Sequence, residues 1–460
     1  MIIVPIRLRG SRQAIRLLLA ASVGVGFGAP AAAQGTLPPA AGVAMDRPPV
    51  LSAIDRVWAG QTSRFALAVT DTMIFVAYYD ANRQMTVASR PRRGIEWVYH
   101  KVDSWLGWDS HNYIALAVDA VGQLHVAGNM HADPLVYYRT RVPGDVRSLT
   151  RQTVMANAAA ERSVTYPVFL TGADGRLVFK YRDGRSGNGN EVYDVYDAAA
   201  QRWSPLLARP LTNGEGRRNA YFMGPVLGPD KIFHIAWVWR ESPMAETNHD
   251  LSYARSRDLI HWTRSDGTPL ALPITASTAE IVDPVPVEGG MINNNTIVGF
   301  DHQGRVMITY HKFDAAGDTQ VFVERREAKG WHVAQVSDWT GFRWDFRGGG
   351  SLDSRLRVGG AVPVGHDEIR ISVVRDGKPI DFFLDPTLKT LRETPGTTLA
   401  EQLAGNGIPV PATMELNTVE DPGGSGIAIA WPTLPPHRDQ AAQTIPEPTI
   451  LRLVELAPSR

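Results

Sequence analysis

Asp71-Thr72-Met73-Ile74, Val121-Gly122-Gln123-Leu124, Asp174-Gly175-Arg176-Leu177, Pro229-Asp230-Lys231-Ile232 and Gln303-Gly304-Arg305-Val306 repeat one local event, a polar turn that delivers an apolar residue. Aligned on that residue, the copies stand at 74, 124, 177, 232 and 306, a period near fifty with one longer step. Strand-like runs flank each turn, as in Phe65-Ala66-Leu67-Ala68-Val69 before the first and Ile74-Phe75-Val76-Ala77-Tyr78 after it, so each unit contains a hairpin. A third run follows at 85–87, 135–138, 192–196, 251–254 and 321–323, and four units then close on Trp97, Trp203, Trp262 or Trp331. Four strands per unit at this period is the arithmetic of β-propeller blades.

Beyond Val306 the pattern loosens, yet 368–374 and 426–431 read as strands of two further units, and 450–454 as a strand that completes the ring with the N-terminal segment. The expectation is an all-β chain, a β-propeller of seven four-stranded blades, with six or eight as the neighbouring counts. No long window carries apolar residues at the helical period.

Outward from the repeat, residues 1–33 read as a secretory signal: Arg7, Arg9, Arg12 and Arg16, then Leu17-Leu18-Leu19-Ala20-Ala21, then Ala31-Ala32-Ala33 before Gln34. The apolar stretch is too short for a membrane anchor, so a secreted or periplasmic protein of bacterial type is expected. Residues 34–50, rich in Pro, Gly and Ala, read as a linker, and 51–460 as a single propeller domain carrying the site. There is no cysteine, which excludes disulfides and thiolate metal sites and leaves stability to core packing. Lys+Arg and Asp+Glu are both 47, so the balance indicates neither a nucleic-acid nor a membrane partner, and an anionic ligand would need a local cluster.

The repeat shows where such a cluster lies. Eleven residues before each alignment point stand Ser63, Tyr113, Tyr166, Tyr221 and Asn295; five after it stand Tyr79, Asn129, Arg182, Trp237 and His311. Equivalent positions on inner strands point to one central funnel, which is where blades on a common scaffold can diverge for function. The second unit adds Asp109-Ser110-His111-Asn112-Tyr113 and then Asn129-Met130-His131; the third carries Val164-Thr165-Tyr166-Pro167 and Lys180-Tyr181-Arg182-Asp183; the fourth carries Arg218-Asn219-Ala220-Tyr221. Single histidines such as His125, His234 and His311, without such a motif, read as packing residues.

In these spacings the chain resembles the seven-bladed propeller polysaccharide lyases with BNR-like repeats, the group of ulvan lyases and a rhamnose–glucuronate lyase. The resemblance implies that His111, His131, Tyr166 and Arg182 are the catalytic set and that Tyr221 contacts substrate. It also implies an anionic polysaccharide partner containing a uronate linked through O4, with rhamnose or sulfated rhamnose beside it. Some relatives hold a structural metal through a cysteine that this chain lacks.

The residue types suit β-elimination. Removing the C5 proton of a uronate builds negative charge beside a carboxylate, so a cation must stabilise it, and Arg182 offers a planar, permanently charged fork. A base must take the proton and an acid must protonate the leaving O4, work for His or for Tyr near a cation. The expected division has Tyr166 and His111 handling protons while His131 and Tyr221 help bind; the sequence leaves open which takes the C5 proton. Trp105 and Trp108 are candidates for stacking on sugar rings, and Asn112 and Asn129 for further substrate contacts. The chemistry requires no cofactor. A structural calcium or zinc ion is compatible, although no ligand cluster of clear spacing stands out. A monomer is expected.

Two other readings compete. A glycoside hydrolase would need two facing carboxylates, for which Asp80, Asp183 and Glu241 form no recognisable pair. Ser256-Arg257-Asp258-Leu259-Ile260-His261-Trp262 resembles the Asp box of sialidases, a structural turn rather than a site. A non-catalytic carbohydrate- or protein-binding propeller would keep the aromatic funnel without needing His, Tyr and Arg together.

Overall fold

The structure, a computed structural model, describes residues 47–456. The expected signal segment 1–33 and the linker up to residue 46 lie outside the described residues. Among those described, the chain forms seven antiparallel sheets and one α-helix, Leu399–Gly405, and no helix is long and apolar enough to cross a membrane. In chain order, sheet 1 comprises Ala66–Val69, Met73–Tyr79, Gln84–Pro91 and Val98–Trp105, and sheets 2 to 6 repeat that meander. Sheet 7 is built from both ends: Glu415–Glu420, Ile427–Thr433 and Thr449–Glu455, with Val50–Val57 paired to the last of these. The expected union of the terminal segments is therefore present, and the first strand begins at Val50.

The turns explain the repeat. Gly122, Gly175 and Gly304 have φ of 84°, 79° and 73°, a region open to glycine without a steric penalty. Asp119 and Asp301 each cap their turn, accepting backbone N–H bonds from Val121 and Gln123 and from Gln303 and Arg305.

Between neighbouring sheets the strands bury shared apolar clusters. One of them joins sheets 7, 1 and 2, with Phe65 stacked on Trp431 at 4.2 Å between ring centres. The closing tryptophans lean back onto the preceding sheet: Trp203 donates to the Tyr137 hydroxyl at 3.0 Å, and Trp331 packs edge-on against Tyr253 at 4.9 Å. His125 and His234 belong to the same device, each bonded through Nδ1 to a tyrosine hydroxyl of the next strand, Tyr137 at 2.7 Å and Tyr253 at 2.6 Å. They are satisfied core residues, as the sequence reading expects.

Two acids in this interior carry a pH consequence. Asp194 is fully buried with neither carboxylate oxygen partnered among the described residues, and burial, aided by Glu161, pushes it up to about 7; burial and Asp283 push Glu324 up to about 8. Both are raised above their unfolded values, so the folded state binds more protons, and their contribution to stability is lost as pH rises from about 4 through 7–8. Asp194→Asn is expected to match the native protein in Tm at pH 5 and to exceed it at pH 8.5 by roughly 1–3 kcal/mol, a few degrees, as read by thermal melts at the two pH values.

Candidate active site

The site is organised by a strand that changes sheets. His131–Asp133, which follows the second strand of sheet 2, pairs with the inner strand of sheet 3, Val164–Thr171, whose other edge pairs with Leu177–Arg185. Thr165 thus stands opposite His131 on one side and Arg182 on the other, and opposed residues of antiparallel strands share a face. Thr165 Oγ1 accepts from Arg182 Nη2 at 2.9 Å and from the Ala132 N–H at 2.7 Å.

Tyr166 follows with φ of 56°, inside a register shift between Thr165 and Val168. A left-handed backbone at a tyrosine is strained, and a bulge re-aims a side chain out of the ladder. Here the ring stands 6.1 Å from both His111 and Tyr221, with the Arg182 guanidinium 5.0 Å from its centre.

His111 enters from the loop between Trp105 and Ile114. Its Nδ1 lies 2.7 Å from Asp109 Oδ1, while His131 Nδ1 makes a short contact with Asp109 Oδ2, and the two imidazoles stack at 4.3 Å. Burial would raise the Asp109 carboxyl, but the two imidazole donors more than reverse this and hold it below the ordinary carboxylate range. Asp439, from the loop before the last strand, lies 3.6 Å from His111 Nδ1 and bonds Ser110 and Ser351.

The cluster is layered. The His111 and His131 side chains are 21% and 25% exposed, and Tyr166 is half-buried. Beneath lie Arg182, Tyr221 and Arg240, 1%, 3% and 7% exposed. Arg240 donates to the carbonyls of Ser242, Pro243 and Met244 and to Asn293 Oδ1, all neutral acceptors; Arg182 Nε and Nη1 have no partner among the described residues. Both guanidiniums lie within 6 Å of the Tyr221 ring centre. The two phenols are driven apart. Burial pushes Tyr166 up to about 12, Tyr221 adding to the rise; for Tyr221, burial is outweighed by Arg182, Arg240 and bonds to Ser186 and Asn219, and the phenol falls below its ordinary value.

Of the residues singled out in the sequence, His111, His131, Tyr166, Arg182 and Tyr221 converge here. Trp105 is 53% exposed at the strand end nearby. Trp108 is instead packed edge-on against Trp58 at 5.4 Å with Arg83 over its face. Asn112 is buried, its carbonyl taking bonds from Tyr79 and Ser63, and the Asn129 amide is committed to Ser104 Oγ and the Trp105 carbonyl. The Trp108 ring and the Asn129 amide are thus committed outside the cluster, while the Asn112 side-chain Oδ1 is buried without a partner among the described residues.

Sequence reasoning gave no role to Asp109, although it stands two residues before His111, nor to Arg240, which occupies no repeat-equivalent position. Asp439 carries no local signal at all. Asp109, His111 and His131 also bring one donor atom each within 4.8 Å of one another. Two imidazoles and a carboxylate are a donor set that zinc accepts and that calcium, an oxygen-seeking ion, does not favour.

An alkaline spectrophotometric titration should reveal one phenol ionising ahead of the other tyrosines. It should be absent from Tyr221→Phe and move to higher pH in Arg240→Met.

The profile of the BNR repeat-containing family matches residues 73–339. A long-isoform ulvan lyase from an Alteromonas species is 28% identical over a segment covering 25% of this chain and 15% of that protein, and one from Pseudoalteromonas sp. (strain PLSV) is 25% identical over the same shares. The matched segment thus spans only about a seventh of these curated relatives. Among solved structures, the polysaccharide lyase Uly1 is similar with a TM-score of 0.60 at 12% identity, over 90% of this chain and 99% of that one. A PL25 ulvan lyase, also solved bound to -[GlcA(1-4)Rha3S]-, is similar with a TM-score of 0.58 at 12% identity, over 89% and 96%. With more than half its length matched by that profile, and an all-β architecture shared with these propeller lyases, the chain belongs to the BNR repeat-containing family.

Proposed function

We propose that this protein is a polysaccharide lyase that cleaves the bond to O4 of a glucuronate or iduronate by β-elimination, in ulvan or a related rhamnose–uronate polysaccharide. The observation that carries the reading is the convergence of two stacked imidazoles and a phenol at the accessible surface over two buried guanidiniums. In the mechanism, the uronate carboxylate sits in the positive field of Arg182 and Arg240, which stabilises the charge that develops when the C5 proton leaves. His111, whose Nδ1 faces Asp109, presents Nε2 as the base; Tyr166, a phenol that stays protonated at neutral pH, donates to O4 as the C4–O4 bond breaks. His131 and Tyr221 hold the sugar and set the local charge. The ulvan lyases that the chain resembles and the fragment bound to the PL25 enzyme support the substrate class. Exposed Arg185 is available to a sulfate, whereas Arg217 lies 3.8 Å from Glu215 and Arg218 is held by Glu215 and Glu241.

The hydrolase reading loses ground because two of its three carboxylates are engaged, Asp80 with Lys101 and Glu241 with Arg218 and His249, which leaves Asp183 alone. Asp258 of the Asp-box-like segment caps its own turn through the N–H groups of Ile260 and His261. We further propose that the seven sheets are seven blades of one closed ring in an exported monomer, a shape and mass that solution scattering reads directly.

Purified protein incubated with ulvan, gum arabic and bacterial glucuronans should generate the ultraviolet absorbance of a conjugated unsaturated uronate with one polymer class. Arg182→Ala and His111→Ala should lower that rate by about 10³-fold or more, and Tyr166→Phe by about 10²–10⁴-fold. New reducing ends without the absorbance would establish hydrolysis instead. Because no step uses a metal, overnight chelation should leave the rate within about twofold.

A further inference from the structure

We propose that Asp109 is a positioning residue that fixes the tautomer of both active-site imidazoles at once, a role resting on the lyase reading of the same site. Each carboxylate oxygen faces one Nδ1: Oδ1 to His111 at 2.7 Å and Oδ2 to His131 in a shorter contact. An ionised carboxylate can only accept, so with each oxygen facing an Nδ1 both Nδ1 atoms carry their protons and both Nε2 atoms are left as lone-pair bases. The stacked rings, 4.3 Å apart and inclined by 29°, are thereby locked as a pair.

The carboxylate is itself held. Asp109 Oδ1 accepts the His111 backbone N–H at 2.8 Å and its carbonyl accepts that of Asn112, closing the loop into a turn. The next residue, Ser110, is bonded through both its N–H and its hydroxyl to Asp439, which also receives the N–H and hydroxyl of Ser351. Three segments remote in sequence thus pin one five-residue motif. Asp109 does not act on the sugar; it decides which nitrogen of each histidine can.

The consequence differs from that of a packing residue. In Asp109→Asn the amide oxygen can still accept one Nδ1–H, but the amide nitrogen can only donate, so one imidazole must present a bare Nδ1 and move its proton to Nε2. Because Oδ1 also accepts the His111 backbone N–H, the amide oxygen stays on that side and the converted ring is His131, which then meets the sugar with an N–H in place of a lone pair.

The test pairs two readouts on the full chain. Nitrogen-15 spectra of histidine-labelled protein at a pH where the rings are neutral, assigned with His111→Gln and His131→Gln, should show both rings as the Nδ1–H tautomer, and Asp109→Asn should convert one to Nε2–H. With the polymer that the native protein cleaves, Asp109→Asn should lower kcat/KM by about tenfold or more, at a Tm close to that of the native protein. Nε2–H rings in the native protein, an Asp109→Asn kcat/KM within threefold of native, or a stoichiometric zinc ion retained on the purified protein would each overturn the proposal. The spectra decide it even if Asp109→Asn fails to fold, and they are independent of turnover. If no polymer is cleaved while both native rings are Nδ1–H, the lyase reading fails and the tautomer assignment stands.

Discussion

The pairing of His131–Asp133 with the inner strand of sheet 3 is the contact on which the site depends. Without it Thr165 would present a free edge, and His131 would stay with sheet 2, out of line with Arg182. With it, a histidine, a threonine and an arginine from three strands form one cross-strand row, and the adjoining bulge throws Tyr166 out beside that row. Two local distortions, a strand that crosses sheets and a left-handed tyrosine, thus turn a repeated scaffold into an asymmetric site. Such irregularity is tolerated because the aromatic packing between sheets over-determines the backbone around it.

The charges are arranged in opposition. Near the surface, one carboxylate serves two imidazoles and is flanked by a second, so the rings are set in a negative surround. Below, two guanidiniums whose partners are neutral oxygens set a positive one. A uronate has the same polarity in reverse: an anionic carboxylate on C5, and beside it a proton to be removed by a neutral base. The buried arginines have a cost in desolvation that hydrogen bonds to carbonyls only partly offset, and the lowered Tyr221 phenol is the visible effect of that unneutralised field.

The repeated features of the fold were legible because each rests on local physics. A turn favours glycine or an Asx residue where the backbone goes left-handed, a half-buried strand alternates, and an outer strand with a tryptophan caps the preceding sheet. Those rules recur with each unit, so the period exposed the hairpins at Ile74, Leu124, Leu177, Ile232 and Val306 without any tertiary information. Sheets 6 and 7 were less distinct because the edge strand of sheet 6 is split into Leu356–Val358 and Val362–Val364, the helix Leu399–Gly405 lies between the two sheets, and sheet 7 takes Val50–Val57 from the other end of the chain.

The sequence by itself determined the all-β repeat and the joining of the two terminal strands; it marked Tyr166, Arg182 and Tyr221 by their offsets from a turn, and His111 and His131 by motif spacing and the family resemblance. Only the tertiary structure decided that Arg182 and Tyr221 lie beneath Tyr166, that the Asn129 amide and the Trp108 ring have partners outside the cluster, and that Asp109, Arg240 and Asp439 stand beside it. Burial and charge compensation are sums over neighbours drawn from different sheets. Asp439 meets Ser110 across 329 residues of chain, and no local pattern of residues encodes a contact at that separation.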